Sequence, residues 1–172
     1  MKKLFFSSIF LFILLLPIMG QLRHVKGISN IGVTYGINEN GCVYGAGYSQ
    51  YLQPIWIWNI NALYETGNIE STGLKQYIVN IGVDYTYFQS FEFLYFNAGL
   101  SVFGGLEKLT SNDLHIKEVK NYIVGPAGNI NVELYLGSRF LFQIKAEQFY
   151  SPLSKYGKWF PVYSLSLKYC IF

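Results

Sequence analysis

Charge is what this sequence has least of. Asp, Glu, Lys and Arg make up 13% of its 172 residues, against roughly 25% in an ordinary soluble domain. A water-soluble protein of this length would have little with which to coat its surface. Cysteine is nearly absent, with only Cys42 and Cys170, so at most one disulfide could form, as an oxidising compartment would allow. No zinc-ligand spacing, phosphate loop or dinucleotide fingerprint occurs, which leaves catalytic residues, cofactors and metal unassigned. The formal charge of +3 includes Lys2 and Lys3 at the extreme N-terminus. Without them the chain is close to neutral, which gives no basis for direct nucleic-acid binding.

What is abundant instead is aromatic and small. Aromatic residues reach 19%, with 15 Tyr, 14 Phe and 17 Gly, a composition that favours strands over helices. The N-terminus reads Met-Lys-Lys, then an apolar run from Leu4 to Met19 broken by Pro17, then Gly20-Gln21. Such a run falls short of the roughly 20 residues a spanning helix needs and has the form of an export signal. The expected division is a signal peptide over 1–20 and one domain over 21–172.

From Lys26 onward the sequence alternates with period two. Eight strands are predicted: Lys26 to Ile37, Gly41 to Leu52, Ile55 to Thr66, Gln76 to Tyr87, Phe91 to Gly105, Asn121 to Leu136, Arg139 to Tyr150 and Pro161 to Phe172. Pro126 predicts a bulge or late pairing in the sixth. One face of each strand is apolar, as in Tyr77, Val79, Ile81, Val83, Tyr85 and Tyr87. The other carries Gly and Asn, such as Asn59, Asn61, Asn80, Gly82, Asn97, Gly99, Asn129 and Asn131. That second face is a poor coat for a soluble barrel and a suitable filling for a narrow lumen. The links at Gln53-Pro54, Gln89-Ser90 and Gly137-Ser138 are short; those at Gly67 to Lys75, Leu106 to Lys120 and Ser151 to Phe160 are long. The fold class expected is all-β: an eight-stranded antiparallel up-and-down transmembrane barrel with a polar filled lumen, following a signal peptide. Its expected location is the outer membrane of a Gram-negative cell, with the lipid bilayer as first partner.

The inward parity includes Asp84, Glu133, Lys145, Glu147 and Lys168. Isolated ions in a low-dielectric interior are costly, so these five predict a structural polar network, with Lys145 and Lys168 paired to Glu133 and Glu147. Glu65 falls near the outer rim. His24 is expected in a tail ahead of the first strand. Ser111, Asp113 and His115 have the residue types of acyl transfer, but turn chemistry accounts equally for that loop. Cys42 and Cys170 are placed at opposite ends, about 25 Å of apolar band apart, beyond the roughly 7 Å a disulfide spans.

Four stretches carry a family resemblance: Tyr44-Gly-Ala-Gly-Tyr48, Asn97-Ala-Gly-Leu100, Gly128-Asn-Ile-Asn-Val-Glu-Leu-Tyr-Leu-Gly-Ser-Arg-Phe140 and Leu165-Ser-Leu-Lys-Tyr169. In these the chain resembles the TraO family of Bacteroidetes conjugative transposons. Phe172 departs from the pattern, out of phase with Tyr169 and Ile171. The resemblance implies a non-enzymatic outer-membrane component of a conjugation apparatus, with protein partners and no small-molecule substrate. A general small barrel for adhesion or envelope stability, or a lipid-modifying enzyme, is the alternative.

Overall fold

A computed structural model describes residues 24–69, 72–111, 119–155 and 157–172. The segment expected to be a signal peptide, with the tail through Arg23, lies outside the described residues, as do Asp113 and His115. Eight strands form a closed antiparallel barrel in sequence order: β1 (Ser29–Ile37), β2 (Gly41–Gln53), β3 (Trp56–Ile69), β4 (Thr72–Ser90), β5 (Leu94–Ser111), β6 (Val119–Leu136), β7 (Phe140–Tyr150) and β8 (Trp159–Ile171). β1 closes the wall by pairing with both β2 and β8. The end carrying the C-terminus and the short β2–β3, β4–β5 and β6–β7 links is called the turn end, and the opposite one the loop end.

The expected alternation sets the facing. Ile31, Val33, Val79, Ile81, Val102, Ile130, Ile144 and Leu165 all lie outward and exposed. Outward aromatics meet across strands in two bands. Tyr35–Tyr44, Tyr64–Tyr77 and Tyr150–Trp159 lie at the loop end, and Tyr48–Trp58, Trp56–Tyr85 and Phe140–Tyr169 at the turn end. An apolar belt between two aromatic girdles suits a bilayer and is a poor surface for water.

Three expectations about connections need correction. The link at Gly67 to Lys75 is mostly strand, paired as far as Ile69↔Thr72. The link after Leu106 begins later, because β5 runs on to Ser111 and β6 starts at Val119. In both places the inner row continues through Leu74, Gln76 and Glu107, while the outer row turns polar at Lys75, Lys108 and Thr110. Outer apolarity marks the belt, not the end of pairing. Third, the β4–β5 turn comprises residues 91–93 rather than Gln89-Ser90, and Phe91 takes a φ of 57° there. Pro126 leaves the β5–β6 register continuous, and the β6–β7 ladder begins at Ala127. That is the late pairing expected of a residue with no N–H.

The interior is layered rather than uniformly polar. Toward the loop end, Val43, Leu63, Ile78, Phe103, Phe149, Phe160 and Val162 belong to one apolar cluster. Toward the turn end, Ile28, Tyr51, Ile57, Tyr95, Tyr135, Leu141 and Cys170 form another. The polar residues occupy the layer between. Cys42 is half-buried on the outer face near the loop end and Cys170 is buried inside near the turn end.

Candidate functional site: the polar layer and the turn-end mouth

Five strands contribute amides to the middle layer, so each inward position alternates with one that faces out. Asn129 and Asn131 donate to the two oxygens of Asp84, at 3.0 and 3.3 Å. Asn131 accepts from Asn97 at 2.8 Å and from Gln143 at 3.0 Å. Asn61 donates to Asn80 at 2.9 Å, and Asn80 to Glu147 at 3.0 Å. Gly99 is required by this approach: a Cβ there would stand 1.8 Å from Asp84 Oδ1 and 2.7 Å from Asn129 Nδ2.

Lys145 Nζ lies 3.0 Å from Glu147 Oε2, and Lys168 Nζ lies 3.9 Å from Glu133 Oε1. Each ammonium thus faces a carboxylate, and Gln143 adds a donor to Glu133 at 3.1 Å. The pocket left between these groups, lined by Asp84, Lys145, Glu147 and Lys168 among others, measures about 20 Å³. That is room for about one water. Such an interior can fix the register of eight strands. Glu65 lies at the loop end, where it accepts from Asn38. Among the described residues no group of His, Cys, Asp or Glu is arranged to hold a metal ion. Ser111 ends β5.

His24 stands ahead of β1, where a tail was expected, but its side chain does not trail free. Its side chain enters the turn-end mouth and is 6% exposed. The ring stacks on Tyr95 with centroids 3.7 Å apart and leans on Tyr51 at 4.4 Å. Nε2 lies 3.2 Å from Glu133 Oε2, and Nδ1 lies 3.1 Å from the Pro54 carbonyl oxygen. No periodicity marks a residue five positions ahead of its strand. The three tyrosines were findable, because Tyr51, Tyr95 and Tyr135 share the inward parity of Ser49, Asn97 and Glu133.

A closed eight-stranded barrel with an apolar girdled exterior and a packed polar interior defines the class of small outer-membrane-type barrels. Its structural likenesses agree. The N-terminal β-barrel domain of Pseudomonas aeruginosa OprF superposes with a TM-score of 0.60 at 8% identity, over 83% of this chain and 98% of that one. Ail of Yersinia pestis, the attachment invasion locus protein, gives 0.57 at 13% identity, over 86% and 100% of the two chains. Neisserial surface protein A gives 0.58 at 9%, over 84% and 94%. At such identities the likeness is one of fold. The chain itself belongs to the family of the conjugative transposon protein TraO, whose model matches residues 16–171. No curated protein sequence matches it significantly.

Proposed function

We propose that the protein is a non-enzymatic outer-membrane barrel of a conjugative DNA-transfer apparatus, exported by a signal peptide over residues 1–20 and anchored by its belt. The family match over residues 16–171 carries this reading. The interior adds to it: a lumen filled by Asp84, Glu133, Lys145, Glu147, Lys168 and their amide partners serves as a structural plug rather than a conduit. With the middle of the barrel occupied, its ends are what partners can meet. The turn end faces the periplasm in the usual topology of such barrels, with short turns inside and longer segments outside. There Phe88, Phe91 and Trp56 are exposed, and Phe91 holds a left-handed backbone that a bulky residue seldom adopts. Strain of that kind gathers where function requires it, so the 91–93 turn is the docking surface we favour.

Two measurements test the reading. Deleting the gene is expected to lower DNA transfer from donor cells at least tenfold while leaving growth unchanged, and the mature protein is expected in the outer-membrane fraction. Normal transfer from the deletion strain would remove the conjugation role. Recovery of the protein as a soluble periplasmic species would remove the barrel's membrane role.

A further inference from the structure

Every wall of the His24 pocket comes from the barrel, and only its occupant comes from the tail. Tyr51 belongs to β2, Thr86 to β4, Tyr95 to β5, and Glu133 and Tyr135 to β6. The walls also hold one another: the Tyr51 and Tyr135 hydroxyls are 2.6 Å apart, and Tyr51 donates to Glu133 Oε2 at 3.3 Å. Two β-bulges border the pocket, one between Tyr51 and Gln53, the other between Thr86 and Phe88. Bulges of this kind re-aim side chains at sites, and here each adjoins a residue that touches the imidazole. Among the described residues ahead of β1, His24 is the one seated in the pocket: Val25 is exposed, Gly27 turns the chain with a φ of 93°, and Ile28 packs in the apolar cluster alongside.

The contacts define what the pocket accepts. Glu133 presents a carboxylate to one edge of the ring and Pro54 a carbonyl oxygen to the other. Thr86 donates its hydroxyl proton to Asn97 at 2.7 Å, so toward His24 Nδ1, 3.4 Å away, it is an acceptor too. Acceptors on both edges and tyrosine faces above and beside the ring select a planar group with N–H donors at opposite edges. A cavity of about 380 Å³ leads from His24 past Pro54, Ile55, Thr86 and Phe88, and Phe88 is exposed. A segment from outside can therefore reach the site.

We propose that the turn-end mouth is a recognition site for a histidine side chain, filled in cis by His24 as a tethered ligand and open to a histidine-bearing segment in trans. Cys170 supplies the readout, since it is buried in the same layer as Tyr51 and Tyr135. In a Cys42→Ser background, purified in detergent, a small water-soluble maleimide is expected to label Cys170 at least tenfold faster after His24→Ala. A synthetic peptide with the sequence Gln21 to Gly27 should restore protection to that variant, with half-effect below the roughly millimolar effective concentration of a short tether, since the tethered ring fills the site. The same peptide with alanine for histidine should not. Tyr95→Leu, which removes a wall and leaves the tail intact, should also expose Cys170. Heat-modifiable migration on gels verifies that each variant remains a barrel. Unchanged Cys170 protection in a folded His24→Ala barrel would overturn the proposal, as would equal protection by both peptides. The proposal stands apart from the conjugation reading, because this assay needs only the purified barrel and that one needs mating cells.

Discussion

The loop end and the turn end of the barrel are both shut, by different means. At the loop end the closure is continuous with the wall. Phe103, Phe149 and Phe160 pack edge-to-face and stacked across the lumen. Above them Glu107, fully buried, accepts from Gln76 at 3.1 Å, from Ser154 Oγ at 2.7 Å and from the Lys155 amide at 3.2 Å. The strap joining β7 to β8 is thereby tied across the mouth, and Asn121 adds a bond to the Leu153 carbonyl at 2.6 Å. At the turn end a ring from outside the strands fills a box of tyrosines beside a carboxylate. One mouth is closed by construction and the other by occupancy.

The comparison is broken most sharply at Glu133. Its removal leaves Lys168, Gln143, Tyr51 and His24 without their shared acceptor, and uncompensated buried charge of this kind costs about 3–5 kcal/mol. Glu133→Ala is expected to lose that much in urea unfolding from micelles, and a loss below about 1 kcal/mol would show that the group is not structural. The same assay sharpens the point through Lys168→Met, which should be destabilising alone and partly relieved by Glu133→Gln. Strict additivity of the two changes would mean the ammonium and carboxylate do not interact. The smallest effect belongs to the loop end. Glu107→Gln keeps an acceptor but weakens bonds to a charged group, each worth about 1.5–3 kcal/mol in full. Hydrogen exchange in 151–158 should quicken while the global unfolding midpoint moves little. A global collapse would mean that the strap is integral to the barrel rather than laid over it.

Much of this was legible in the sequence, for a physical reason. A wall one residue thick with lipid on one side and a filled lumen on the other writes its facing into every second residue. Ile81 and Asn80 could be assigned outward and inward from parity alone. Strand ends were less readable, because parity persists beyond the belt: Leu74 and Glu107 keep pointing in after Lys75 and Lys108 have turned the outer row polar. The interior's division into two apolar layers around a polar one was missed because Val43, Phe103, Phe149 and Phe160 interrupt an otherwise small and polar row. Which ammonium meets which carboxylate depends on barrel stagger, which no single strand encodes. His24 was out of reach altogether, since its position follows from a turn at Gly27 and from walls contributed by residues 27 to 111 positions away.

The unequal strands carry a consequence in time rather than in space. β4 is 19 residues long and β5 18, whereas β1, the first strand, which pairs with the last, has nine. Hairpins between neighbours such as β4 and β5 close over short loops, while the β1–β8 seam must bring together residues as distant as Ser29 and Ile171. Loop-closure entropy grows with that separation, and the seam has only nine rungs with which to offset it, as few as any ladder in the wall. The wall is therefore finished at β1 and begins to open there. Backbone amides along the seam should exchange before those of the β4–β5 ladder, and uniform protection around the barrel would contradict this order.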